Sequence, residues 1–256
     1  MRWGPVVLVL CAWSCSFKTV PVTPSDGTSD DAPLPGDAPL PGDAQEIDAP
    51  AGLTCNPTAC GAIGGSCMPD NHCRLQINGA NGVTCPAGHF CDITCGATGC
   101  RNGLVNCANA VGCIVSCGTG GATDTACDSG VRCPTAGPCT VTCNGGTACR
   151  HTAITCGAGP CNVACLGTDA CGDKGVDCTL SQDCDVRCEG TNACRNGAVQ
   201  CGPGTCDVVC NGTNACQNLP TACTVTPAQC AWHCCGSAAC ANNSLCSTCT
   251  RDAVCP

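Results

Sequence analysis

A cysteine pattern that recurs about every 22 residues constrains this chain more than any other feature. From Cys139 it reads C-x-V-x-C-x-G-x-x-A-C-x-x-x-A-[IV]-x-C, and after a short linker it starts again at Cys161. The same frame begins at Cys91, Cys113, Cys139, Cys161, Cys184 and Cys206 and, in decayed form, at Cys230. A fixed period of this length means one supersecondary unit stacked on copies of itself. In Cys184-Asp-Val-Arg-Cys188, strand alternation puts Cys184, Val186 and Cys188 on one face, and Asp185 and Arg187 on the other. Glu189 to Cys194 reads as a turn built from residues that tolerate positive φ. Ala198-Val199-Gln200-Cys201 then places Val199 and Cys201 together on one face. Gly, Thr, Asn and Val disfavour helix, and no 3.6-residue periodicity is present. The prediction is an all-β, disulfide-stapled parallel β-helix, a solenoid of about six to seven short coils with irregular caps.

Composition explains why the cysteines must carry the fold. The chain has 38 cysteines among 256 residues, but two Phe, no Tyr and three Trp. Such a chain lacks the bulky side chains of a conventional core, and this cysteine density marks a disulfide scaffold. The scaffold positions read from the repeats are Cys139, Cys143, Cys149, Cys156, Cys161, Cys165, Cys171, Cys178, Cys184, Cys188, Cys194, Cys201, Cys206, Cys210, Cys216 and Cys223. Coils stacked about 4.8 Å apart fall inside the Cα–Cα window of a disulfide. Inward cysteines are therefore able to bridge neighbouring coils or to pair across one narrow coil. The two ends of C-x-V-x-C lie about 13 Å apart along a strand and cannot bond to each other. Closing loops of roughly 20 residues would contribute about 3 kcal/mol per bridge in the chain-entropy model.

The chain divides into five segments. Residues 1–15 read as an export signal, with Arg2 ahead of a short apolar run from Val6 to Trp13. The run is too short to span a bilayer. Ala12-Trp13-Ser14 fits ordinary signal cleavage, and the same residues before Cys15 fit a lipobox whose cysteine carries lipid. Parity favours the lipobox. Thirty-six cysteines follow from Cys55 onward and can pair completely, which leaves Cys15 over. Residues 16–52 read as a disordered acidic, Pro-rich tether in which Asp31-Ala-Pro-Leu-Pro-Gly36 repeats as Asp37-Ala-Pro-Leu-Pro-Gly42. Residues 53–82 form a Cys-rich N-terminal cap, 83–233 the solenoid repeats and 234–256 the C-terminal cap. The unit at Cys113 carries an insertion, Gly118 to Ala126, where nine residues separate Cys117 from Cys127.

The repeated C-x-G-T-[ND]-A-C run, as in 188–194 and 210–216, gives residues 83–249 a resemblance to right-handed, cysteine-rich β-helix repeat proteins of microbial surfaces. The whole chain resembles cysteine-rich bacterial lipoproteins with an acidic, Pro-rich tether. This resemblance implies export and a stapled solenoid, and no particular activity.

The chemistry carried by the repeats is that of a binding face. The first outward position of C-x-V-x-C supplies Asp92, Ile114, Thr140, Asn162, Asp185 and Asp207. Among these, Asp92, Asn162, Asp185 and Asp207 make a candidate surface ladder of oxygen-rich side chains able to grip a glycan or a cation. A soft-metal site is not expected. Only Cys246-Ser-Thr-Cys249 has finger-like spacing, no second pair matches it, and exported cysteines pair with each other. Catalysis is not expected either, because His72, His89, His151 and His233 fall in different units and Asp185 with Arg187 and Asp207 is the one mild cluster. The reading is a non-catalytic, exported structural or adhesive solenoid, with a metal- or small-ligand-binding solenoid or a carbohydrate-active β-helix as alternatives. No cofactor is expected. Expected partners are polysaccharide or cell-surface components, with membrane contact only through a lipid. Residues 52–256 hold 12 acids and 8 bases, a balance that disfavours nucleic acid. Replacing Cys15 by Ser is expected to release the protein into the medium; membrane fractionation showing unchanged association would reject lipidation.

Overall fold

The computed structural model describes residues 52–219, 221–223, 229–243 and 249–252. Cys15, the export signal and nearly all of the tether lie outside the described residues. The elements in chain order are α1 (Pro57–Ala62), β1 (Ser66–Cys67), β2 (His72–Ile77), β3 (Val83–Thr84), β4 (Phe90–Cys95), β5 (Val105–Asn106), β6 (Gly112–Cys117), β7 (Val131–Arg132), β8 (Cys139–Cys143) and β9 (Ile154–Thr155). They continue as β10 (Pro160–Cys165), β11 (Gly175–Asp177), β12 (Asp183–Cys188), β13 (Ala198–Cys201), β14 (Thr205–Cys210), β15 (Thr221–Cys223), β16 (Gln229–Cys234) and β17 (Thr250–Asp252).

These strands form a parallel β-solenoid of about eight turns. One sheet runs β1-β2-β4-β6-β8-β10-β12-β14-β16-β17, and the other runs β15-β13-β11-β9-β7-β5-β3. Among the described residues every strand pairing is parallel except β1 with β2, which is an antiparallel end piece. The first rung, β2, lies within the segment expected to be a cap, and its Cys73 is in register with Cys91. In front of it stands α1, whose N-cap Asn56 accepts from the N–H groups of Thr58 and Ala59.

Alternation along the long strands works as the sequence predicts. Leu75, Ile93, Val115, Val141, Val163, Val186, Val208 and Trp232 stack in one buried column, each in register with the next. Val83, Val105, Val131, Ile154, Val176 and Val199 form the matching column of the other sheet. Both columns belong to one buried cluster that the cysteines complete.

Through the repeats the bridges run within coils; at the C-terminal end Cys230–Cys249 joins the neighbouring rungs β16 and β17. At one corner, where the short strand hands over to the long one, the pairs are Cys85–Cys91, Cys107–Cys113, Cys133–Cys139, Cys156–Cys161, Cys178–Cys184 and Cys201–Cys206. At the other corner, where the long strand enters the turn, they include Cys95–Cys100, Cys117–Cys127, Cys143–Cys149, Cys165–Cys171, Cys188–Cys194, Cys210–Cys216 and Cys234–Cys240. Cys223 ends β15, and its side chain lies outside the described residues. Bridged partners are mostly five or six residues apart, not the 20 assumed from the repeat length. The entropic contribution per bridge is correspondingly nearer about 2 kcal/mol. The pairing is local because the corner folds consecutive cysteines toward each other, whereas hydrogen bonding already holds successive coils together.

The turn differs from expectation in which residue takes the unusual backbone. Asn192 and Cys194 adopt positive φ (58° and 55°), as do Asn214 and Cys216 one coil on. Every second residue of the turn is left-handed, and the N–H groups of successive left-handed residues point to opposite neighbours. Asn192 donates to the Thr213 carbonyl of the next coil, and Cys194 donates to the Ala170 carbonyl of the preceding one. A left-handed non-glycine residue costs roughly 1 kcal/mol; the corner bridge and the two-way hydrogen bonding offset that cost. The glycine of the motif serves space rather than φ. A Cβ on Gly190 would lie 2.0 Å from the Gly167 carbonyl oxygen, and one on Gly212 would lie 2.0 Å from that of Gly190. The insertion at 118–126 folds over its own anchor. The buried Asp124 carboxylate accepts from the Thr119 N–H (2.7 Å), the Thr119 hydroxyl (2.9 Å) and the Gly121 N–H (3.1 Å). These bonds, those from Thr119 foremost, hold its pKa below the ordinary carboxylate value.

The glycine column makes a direct prediction. Gly190→Ala adds one methyl group and should destabilise the oxidised protein by about 1–3 kcal/mol through coil-to-coil overlap. Chemical denaturation checks it, and an unchanged midpoint would reject close packing as the reason for this glycine.

Candidate functional site

The outward row of the long sheet becomes a site near its C-terminal end. Register places Asn162, Asp185 and Asp207 on three successive rungs, and hence about 4.8 Å apart. Asp92 is not with them. Ile114 and Thr140 intervene in the row, and the Asp92 carboxylate is held by Arg74, Nε to Oδ2 at 2.8 Å.

Asn162, Asp185 and Asp207 line an open cleft of about 660 Å³ together with Asp183, Thr205, Gln229, Ala231 and Thr250, with Cys206 and Cys230 also at its wall. The cleft opens where the side chains of the row shorten past Asp207. Ala231 occupies the next rung, and Thr250 of β17 follows it. The Thr250 hydroxyl donates to the Cys230 carbonyl at 3.2 Å and ties that edge down. Asp183 is set by its backbone. Its N–H donates to the hydroxyl of the fully buried Ser181 (3.3 Å), which also lies 2.8 Å from the Gly159 carbonyl oxygen. The Asp183 carboxylate accepts from the Thr205 hydroxyl one rung on.

Charge in the cleft is unevenly balanced. Arg187 approaches Asp185 at 3.7 Å, and His233 approaches Asp207 at 3.3 Å. Asp185 Oδ1 is buried with no hydrogen-bond donor. Its side chain as a whole stays 37% exposed, so a ligand can reach it. Burial is the main reason its pKa is raised; Arg187 opposes the rise, and the neighbouring Asp207 and Asp183 add to it. Two carboxyls on adjacent rungs thus differ in environment, in a setting rich in hydroxyl, amide and carboxylate oxygens. Such a surface can hold sugar hydroxyls or an oxygen-seeking cation.

The structure also groups residues that the linear reading kept apart. His151 stands between two acids, with Nδ1 2.7 Å from Asp128 Oδ1 and Nε2 3.6 Å from Asp173 Oδ2. Arg150 Nε lies 3.1 Å from the same Asp173 oxygen. The signal was present in the numbering. Residues one period apart become neighbours, and 128, 151 and 173 are separated by 23 and 22 positions. His233 and Asp207 meet by the same rule in adjacent strands. Elsewhere, His72 stacks on Phe90 with centroids 4.1 Å apart, and His89 accepts from the Asn56 N–H at 3.1 Å. Those two histidines fasten the N-terminal coils and lie apart from the cleft.

Within 55–216 the described cysteines are all disulfide-bonded, so their sulfurs are not free thiolates. The chain matches no family model, no curated protein and no solved structure.

Replacing Asp185 by Asn should show the cost of its ionisation. A folded pKa raised above 3.8 means a stabilising contribution that is present below the unfolded pKa and lost as pH rises through the folded one. The variant is therefore expected to match the wild type near pH 3 and to exceed it in urea midpoint at pH 7. A lower midpoint at pH 7 would show that the Arg187 contact outweighs burial.

Proposed function

We propose that the chain is an exported, non-catalytic surface protein whose solenoid is a rigid adhesive module for polysaccharide. The observation that carries this reading is the cleft at Asn162, Asp185 and Asp207, where polar side chains repeat at the rung spacing along a disulfide-braced sheet. Side chains held in a fixed row lose little freedom on binding, so modest individual hydrogen bonds accumulate along an extended ligand. The acidic bias of the cleft favours a neutral or amino-sugar polymer over an acidic one. Extensive disulfide bonding is consistent with an exported or extracellular protein. Lipid on Cys15, with the acidic Pro-rich tether behind it, would hold the module away from the membrane, in keeping with a bacterial surface lipoprotein.

One observation favours a second reading, a carbohydrate-active β-helix. Asp185 and Asp207 are neighbouring carboxyls in unequal environments, which is the arrangement that acid and base roles require.

A glycan array probed with the oxidised protein, followed by calorimetry on the best ligand, tests both. Retention of a neutral or amino-sugar polymer is expected, without chain shortening and without dependence on added calcium. The Asp185→Asn/Asp207→Asn double variant should lose at least tenfold in affinity. Undiminished binding by that variant would dismiss the cleft as the site. Release of new reducing ends would favour the enzymatic reading, and binding abolished by a chelator would point to a cation.

A further inference from the structure

The corner bridges stack so closely that sulfurs of different coils touch. Cys178 Sγ lies 3.5 Å from Cys156 Sγ, although each is bonded elsewhere, Cys178 to Cys184 and Cys156 to Cys161. The sulfurs of Cys156, Cys161 and Cys178 all lie within 4.8 Å of one another, and so do those of Cys133, Cys139 and Cys161. All are buried. Three consecutive coils therefore share one continuous file of sulfur, in which each bridge has the sulfur of a neighbouring coil beside it.

We propose that this file is a thiol–disulfide relay, in which a thiol formed in one coil is passed to its neighbours along the solenoid axis. The chemistry balances at each step. A dithiol reductant that gains access to the buried Cys178–Cys184 bridge through local opening of its coil closes to its own disulfide, delivering two electrons and leaving Cys178 and Cys184 as thiols. The Cys178 thiolate attacks Cys156 Sγ; a Cys156–Cys178 bond forms, the Cys156–Cys161 bond breaks, and Cys161 leaves as thiolate. Cys161 then attacks Cys139, forming Cys139–Cys161 and releasing Cys133. Each transfer breaks one S–S bond and makes one, so no electrons are consumed after the first reduction. The reacting sulfurs lie 3.5 Å apart in the first transfer and within 4.8 Å in the second, a proximity that supplies the high effective concentration that drives such transfers. Only the thiolate attacks, so transfer accelerates as pH rises and the thiolate fraction grows. The relay is independent of what the cleft binds.

Cys184→Ser generates the starting thiol at Cys178 without any reductant. The oxidised full-length variant would be labelled with maleimide after acid quench and mapped by unreduced peptide mass analysis. The expected result is label shared among Cys178, Cys161 and Cys133, together with new Cys156–Cys178 and Cys139–Cys161 linkages. Label confined to Cys178, with Cys156–Cys161 intact, would overturn the relay. Because this variant could fail to fold, the wild type provides a second arm. It would be reduced sparingly with a phosphine at low pH, where exchange is silent, and then shifted to pH 8. Redistribution of thiols within the same corner file, at a rate independent of protein concentration, supports the relay. An unchanged thiol map, or scrambling that scales with protein concentration, refutes it.

Discussion

Every other feature of this protein depends on the bridge at the corner of each coil. A coil of about 22 residues with one aliphatic side chain per strand, such as Val186 and Val199, buries too little surface to hold its own shape. Paired cysteines at both corners clamp the strand ends, and the clamp acts where the chain would otherwise open. Because the bridges of the repeats are local, each repeat coil is stapled individually, and the parallel ladders carry cohesion from coil to coil. Stability in such an array is a sum of coil and interface terms. This explains why close contacts in the turn, such as the one between Gly190 and Gly167, matter as much as the central column.

The same stacking creates the chemistry of the surface. Register converts a sequence separation of one period into a distance of about 4.8 Å. Isolated polar residues thereby become rows: Asn162 with Asp185 and Asp207, Asn192 with Asn214 at 3.3 Å, and Asp128 with His151 and Asp173. A row becomes a site only where it is interrupted. Near the N-terminal end Asp92 is neutralised by Arg74, and the centre of the row carries Ile114 and Thr140. Past Asp207 the row drops to Ala231, and the cleft opens where three carboxylates face one arginine and one histidine. The sulfur file follows the same geometry inside the molecule. There, stacking places sulfurs of different coils in contact instead of oxygens.

Much of the fold was legible because strand alternation and cysteine phase coincide. Cys184, Val186 and Cys188 point inward as the two-residue period requires, and Asp185 and Arg187 point outward. The ladder positions could likewise be assigned from the repeat frame. Three things could not. Bridge partners stayed open, because Cα spacing permits bonds both between and within coils, and only the corner geometry separates the two. The first coil at His72–Ile77 was obscured because its unit lacks the turn cysteine of the repeat motif. The meeting of His151 with Asp128 and Asp173 is hidden in the linear order, because the three residues belong to different units and only the coil period brings them together.

The sequence by itself determined the class of structure. A strict cysteine phase, strand alternation and the scarcity of large apolar residues leave a stapled β-solenoid as the consistent solution. Tertiary structure alone decided which cysteines pair, which rung residues share an open cleft and which residue of each turn goes left-handed. The physical reason is that periodicity specifies direction, inward or outward, for every residue. Proximity across coils depends on the path of the corners, and that path is set by packing rather than by local preference.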